Sequence, residues 1–297
     1  MWSRLTRQLI ELACEEDLGE AGDITAALLP SASCDVTARL VPRQPGVICG
    51  LTLGPLICDV FAKRLGWPLS FETVTHGDQP WQDGDPIEPG LTLAHIRGRY
   101  EALLSAERTL LNFLSRLSGV ATLTRRLVAA AHRVNPDVKV LDTRKTVPGW
   151  RELDKYAVRT GGGRNHRLGL YDAVLLKDNH LAQVPSAELA DCVADLLRRL
   201  TARPDFIEVE VDNLEQLAAV CTVPGVDIVL LDNFSPDQLR SAVRLRDEQG
   251  LRGKLALEAS GGITLENIAD VAATGVDRIS VGALTHSAAN LDLGLDL

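Results

Sequence analysis

The sequence predicts an α/β protein: a small N-terminal α+β domain followed by an incomplete or irregular barrel of about six parallel strands. Three observations carry that prediction. Over the second half of the chain, short apolar runs alternate with helical periodicity, the pattern of a parallel sheet with crossover helices. Six such runs are present, short of the roughly eight that close a standard barrel. The first hundred or so residues instead mix strands, helices and turn-rich connectors, as a separate α+β domain does. The pattern changes near Ser115–Val120, which gives domains 1–117 and 118–297.

The opening segment spaces Leu5, Leu9, Ile10, Leu12 and Ala13 as an amphipathic helix, with Gly19 as its stop. Cys34 to Val41 alternates as a strand, Leu53 to Leu65 is helical, and Leu69 to Thr75 and Leu91 to Gly98 are strands flanking a Pro/Gly/Asp-rich loop. A long helix follows from Glu101 to Arg133, and Gly119 is placed to bend or break it. The apolar runs beyond it are Lys139 to Leu141, Ala173 to Leu176, Phe206 to Val211, Asp227 to Leu231, Leu255 to Ala259 and Arg278 to Val281. Helices are expected at Ala187 to Leu200, Leu214 to Val220, Pro236 to Asp247 and Leu265 to Thr274, the last capped by Thr264.

With 297 residues, 45% of them hydrophobic, the chain has ample core for this plan. Its 40 acids against 31 bases exclude a general polyanion-binding surface. Six scattered cysteines form neither a C-x-x-C nor a zinc-spaced cluster, so they are expected as thiols of a reducing compartment. The N-terminus lacks the apolar core of a signal peptide and no window approaches a membrane span, so a cytoplasmic protein is expected.

Against this acidic background, the stretch from Asp142 to His180 carries eight bases and five acids. A local excess of positive charge points to a focused anion site. Its cations fall where strands end: Thr143, Arg144 and Lys145 follow the first run and Lys177 the second. Glu210 lies near the end of the third and Asp232 directly follows the fourth, Ser260, Gly261 and Gly262 follow the fifth, and Gly282 and Ala283 the sixth. Strand ends share one rim in an α/β barrel, and reactive groups gather there. Arg144, Lys145, Arg167 and Lys177 suit an anionic substrate. Glu210 and Asp232 suit a Mg²⁺ held together with substrate phosphates, and the glycine turns suit a phosphate.

Simpler readings apply to neighbouring residues. Glu208 shares a face with Glu210, so one of the two need only be solvated or salt-bridged. The segment from Gly149 to Thr160 is expected as a solvated helix whose charges pair with one another. His76, His95 and His132 have no partners in sequence and are expected at the surface or in packing roles.

The blocks ERTLLNFLSRLSGVAT, DTRKTVPGWRELDKYAVRTGGGRNHRLGLYDAVLLKDNH, IEVEVDNLEQL, IVLLDNF, EASGGIT and GVDRISVGALTHSA resemble quinolinate phosphoribosyltransferase over essentially the whole chain. That resemblance implies an N-terminal α/β sandwich, an open barrel, and a homodimer in which each N-terminal domain covers the partner's barrel mouth. It implies transfer of phosphoribosyl from 5-phosphoribosyl 1-pyrophosphate to quinolinate with loss of CO2, a step of NAD biosynthesis. By the same resemblance Arg144, Lys145, His166, Arg167 and Lys177 line the dicarboxylate site, Thr143 is a further substrate-binding residue, and Arg108 is lent by the neighbouring subunit. Glu210 and Asp232 match acids near the ribose and metal, while Ser260, Gly261, Gly262, Val281, Gly282, Ala283 and His286 match phosphate-side loops. Lys145, Lys177, Glu210 and Asp232 form the expected catalytic set, with Mg²⁺ as the cofactor. The alternatives are a related enzyme acting on another anionic base, a lysine-dependent aldolase-like barrel using Lys145 or Lys177, and a non-catalytic barrel.

Overall fold

The computed structural model describes residues 2–29, 34–181 and 184–297. The chain forms two compact units, one from residues 1–125, 146–162 and 288–297, the other from 126–145 and 163–287. The expected linear boundary at residues 117 and 118 falls inside a continuous helix, Tyr100–His132.

In the first unit, helix α1 (Arg4–Leu18) starts at Ser3, whose hydroxyl accepts the Thr6 N–H, and closes at Gly19. Its buried face is Thr6, Ile10, Cys14 and Leu18, a clean i, i+4 row, whereas Leu5 and Leu12 of the expected apolar face point outward. Strand β1 (Asp35–Pro42), helix α2 (Gly54–Leu65), and strands β2 (Leu69–Thr73) and β3 (Ala94–Arg99) follow. The sheet is antiparallel in the order C-terminal strand (Leu293–Asp296), β1, β3, β2. Gly54 lets α2 lie against the sheet, since a Cβ there would sit 2.6 Å from the Phe71 ring. Helix α3 (Tyr100–His132) is unbroken at Gly119. That glycine instead admits the Ala289 carbonyl, which would lie 2.0 Å from an added Cβ.

Helix α4 (Arg151–Thr160) corrects the solvated reading of that segment. Leu153, Ala157 and Val158 are buried, and so are Asp154 and Lys155. The Arg116 guanidinium of α3 donates to both Asp154 oxygens, at 2.9 and 3.2 Å. A buried carboxylate is tolerable there because one guanidinium nitrogen donates to both of its oxygens.

The second unit holds strands β4 (Lys139–Leu141), β5 (Val174–Leu176), β6 (Ile207–Val211), β7 (Ile228–Asp232), β8 (Ala256–Ser260) and β9 (Arg278–Ser280). All pair parallel in the order β4, β9, β8, β7, β6, β5, the open six-stranded arrangement expected. Between them run α5 (Leu189–Arg198), α6 (Leu214–Val220), α7 (Pro236–Glu248) and α8 (Ile268–Ala272). Asn213 caps α6, and Ser235 with Gln238 forms a reciprocal capping box on α7. Helix α8 starts after Asn267, so Thr264 is not its cap; Thr264 donates its backbone N–H to the Asn267 side chain in the preceding turn.

No described helix is long and apolar enough to cross a membrane. Cys14, Cys49 and Cys58 are buried free thiols, while Cys34 is exposed. His76 stacks on Trp81, and His132 bonds the Val138 carbonyl, both packing roles.

Candidate active site

Because side chains alternate along a strand, residues two apart face the same way. Leu175 and Lys177, Leu230 and Asp232, and Glu258 and Ser260 all line one cavity of about 410 Å³, joined by Glu210 and Ser280. Parallel register sets Asp232 beside Ser260, Leu230 beside Glu258, and Glu258 beside Arg278. Lys177, Glu210, Asp232, Ser260 and Ser280 lie at its strand ends, and the lining residues His166 and Glu258 are met by Glu208 and Arg278.

The cations enter from the β4 end and from the loop before β5. Asp142, fully buried, accepts the His166 N–H at 2.9 Å and an N–H from the Asn165 side chain, tying the two segments together. The next N–H, that of Arg167, donates to His166 Nδ1 at 2.8 Å, and those of Leu168 and Gly169 donate to the Asp172 carboxylate. This pinning brings Arg144, Lys145, Arg167 and Lys177 to the same cavity. Burial and the nearby Arg144 charge both lower the Arg167 pKa, the mark of two guanidinium groups held close. Arg144 Nε is itself buried with no hydrogen-bond partner among the described residues. Close cations and a spare buried donor are what an anion would complete.

Opposite them, Lys177 Nζ lies 3.4 Å from Glu210 Oε2. Burial raises the Glu210 carboxyl, Lys177 opposes the rise and Asp232 reinforces it. Asp232 is likewise raised by burial and by Asp212, against Lys177 and Lys145. Two crowded carboxylates of raised pKa gain from a hard cation that takes oxygen ligands, so Mg²⁺ fits them. A tighter His/acid group among the described residues is His166, Glu208 and Glu258. There Arg278 Nε already bonds Glu258 at 2.6 Å and His166 Nε2 lies 2.9 Å from Glu208, so both acids already have partners within the protein.

The phosphate-side residues lie at the same strand ends. Gly261 and Gly262 have φ of 98° and 59°, a left-handed turn after Ser260 that favours glycine. Val281 is buried, and its N–H donates to the Leu141 carbonyl. The one-turn helix Ala283–His286 lets Thr285 Oγ1 donate to the Lys145 carbonyl at 2.8 Å. A Cβ on Gly282 would meet Lys145 Cδ at 3.0 Å and His286 Nε2 at 3.1 Å, so both side chains pass over that glycine. Thr143 accepts the Lys145 N–H and lines the cavity. Arg108 is exposed on α3 in the first unit.

Sequence reasoning passed over Asp142, Glu258 and Arg278. The signal available was a carboxylate inside an apolar run, as in LALEA. Glu208, left between a solvated and a salt-bridged role, is fully buried.

The family model for the quinolinate phosphoribosyl transferase N-terminal domain matches residues 23–118, and that for the C-terminal domain matches 120–296. The chain belongs to this family. Among relatives, it is 44% identical over 293 residues to the nicotinate-nucleotide pyrophosphorylase (carboxylating) of Mycobacterium leprae, covering 98% of this chain and 96% of that one. It is 38% identical to the probable enzyme of the same name from Bacillus subtilis, covering 95% and 90%. Among solved family structures, NadC from Streptococcus pyogenes superposes with a TM-score of 0.85 at 34% identity, over 98% of this chain and 96% of that one.

Proposed function

We propose that this enzyme joins quinolinate to 5-phosphoribosyl 1-pyrophosphate and releases pyrophosphate and CO2, giving nicotinate mononucleotide for NAD biosynthesis. The observation that carries the chemistry is the sorting of charge within one cavity. Arg144, Lys145, Arg167 and Lys177 meet Glu210 and Asp232 across it. Quinolinate bears two carboxylates, and several fixed cations recognise both, whereas nicotinate would leave part of the cluster unmatched.

The C1–O bond to pyrophosphate breaks with its electron pair leaving on the phosphate oxygen, and the pyridine nitrogen lone pair forms the new C–N bond. Positive charge grows on the ribose in between, where the Glu210 and Asp232 carboxylates stabilise it. As CO2 departs, the pair of the broken C–C bond stays at ring C2, stabilised by the adjacent positive ring nitrogen, and a proton from solvent adds to it there. Glu210 and Asp232 would hold Mg²⁺, directly or through water and substrate phosphates, where it would supply positive charge to the pyrophosphate leaving group. The turns at Ser260–Gly262 and Val281–Ala283, with His286, serve the phosphate end. The lysine-dependent alternative is disfavoured because Lys177 Nζ is paired with the Glu210 carboxylate at 3.4 Å, whereas a Schiff-base lysine needs its nitrogen free to attack a carbonyl.

The protein acts as a cytoplasmic homodimer in which Arg108 reaches the partner's dicarboxylate site. The reaction is tested by pyrophosphate release with Mg²⁺ and 5-phosphoribosyl 1-pyrophosphate, comparing quinolinate, nicotinate and no base. Release with quinolinate alone is expected, and equal rates with nicotinate would overturn dicarboxylate selectivity.

A further inference from the structure

Asn233, directly after Asp232 at the end of β7, has φ 55° and is the one non-glycine among the described residues in left-handed backbone. Side chains rarely adopt that region, and strained residues of this kind gather at functional sites. Three contacts hold it there. Its backbone N–H donates to the Ser260 carbonyl at 2.9 Å, locking the end of β7 to that of β8. Its side-chain Nδ2 donates to Asp232 Oδ2 at 2.7 Å. Its Oδ1 fills the place of the missing Gly261 side chain, 2.1 Å from where a Cβ would stand. One carboxamide thus touches both the acid and the glycine turn that border the cavity.

We infer that Asn233 is a positioning residue for the phosphoribosyl end of the site. It holds one Asp232 oxygen, leaves the other to the cavity that Asp232 lines, and sets the path of the Ser260–Gly262 turn. The inference rests on the reading that Asp232 serves the ribose and metal end. A competing reading makes Asn233 a turn residue chosen only for its tolerance of positive φ. The two part company at glycine, which accepts that backbone better than asparagine but has no amide to give.

The test uses full-length Asn233→Gly, Asn233→Asp and Asp232→Asn enzymes. It measures thermal melting, kcat, KM for each substrate, and binding of 5-phosphoribosyl 1-pyrophosphate by calorimetry with and without Mg²⁺. Asn233→Gly is expected to melt no lower than wild type yet bind 5-phosphoribosyl 1-pyrophosphate about ten-fold more weakly, the scale of one lost hydrogen bond to a charged group. Its quinolinate KM should stay unchanged. Asn233→Asp keeps the shape but sets a carboxylate against Asp232, so its loss should exceed that of glycine. An Asn233→Gly enzyme with wild-type affinity, or an aspartate variant milder than glycine, would leave only the turn role and overturn the inference. An Asp232→Asn enzyme that binds like wild type would overturn the assignment of Asp232, and this inference with it. Impaired Asp232→Asn beside unimpaired Asn233→Gly removes the role of Asn233 alone.

Discussion

His166, Glu208, Glu258 and Arg278 form one buried cluster, and their charges do not cancel unless one proton is added. With a neutral imidazole, two carboxylates face one guanidinium, a costly imbalance for groups almost wholly buried. His166 and Glu208 compete for that proton. Burial depresses His166, while hydrogen bonds and charge from Glu208 and Glu258 pull it upward. Burial, then the charge of Glu258, lifts Glu208 as well. The backbone decides between them. An imidazolium would direct a hydrogen from Nδ1 at the Arg167 N–H that already donates there at 2.8 Å. The imidazole therefore stays neutral with its hydrogen on Nε2, and Glu208 carries the proton. Burial works against the Glu258 charge, but His166 and Arg278 outweigh it and hold that carboxyl low. Glu208→Gln, which mimics the protonated acid, should change unfolding free energy by less than about 1 kcal/mol, whereas Glu258→Gln removes the charge under Arg278 and should cost roughly 3 kcal/mol. Denaturant titration of the two variants reads this directly, and the reverse ranking would put the proton on His166. In the sequence Glu208 and Glu210 are equivalent by alternation, and the roles separate only because the neighbouring strands bring a histidine to one and a lysine to the other.

Helices α1 and α4 show what amphipathic spacing reveals and what it conceals. The strands of the second unit were legible because each is a short apolar run bounded by polar residues. Helix α4 was not, because its buried face carries Asp154 and Lys155, and a charge in sequence does not announce the Arg116 that meets it. Glu152 on the same helix accepts hydrogen bonds from Ser3 Oγ and Thr6 Oγ1 and from the Ser3 N–H, which binds α4 to the first turn of α1. Partial burial opposes the Glu152 charge, but these hydrogen bonds prevail and lower its pKa from the ordinary 4.5. A carboxyl depressed on folding stabilises the fold above its unfolded pKa, and the contribution is lost as pH falls through the folded value. Amide protection in α1 should therefore hold from neutrality to about pH 4.5 and then decline. Glu152→Gln should start with lower protection and show no such decline. Hydrogen exchange across that range checks both, and a wild-type profile in the variant would remove Glu152 as the tie.

For the molecule as a whole, the order of elements and the rim of strand ends followed from sequence, because each depends on local periodicity. The recruitment of residues 146–162 and 288–297 to the first unit did not, since it depends on contacts such as that of Gly119 with the Ala289 carbonyl, which no local pattern encodes. Arg108 poses the same question of assembly. It stands exposed in the first unit, while Arg144, Arg167 and Lys177 gather in the second. In the proposed homodimer each site takes Lys177 from one subunit and Arg108 from the other. Arg108→Ala and Lys177→Ala enzymes should each be inactive alone. A mixed dimer carries one site with both defects and one with neither, so random exchange of subunits, with half the dimers mixed, should restore about a quarter of wild-type activity. Activity measured after unfolding and refolding the two variants together, against each refolded alone, gives the answer. Failure to recover activity in demonstrably mixed dimers would mean that Arg108 does not complete the partner's site.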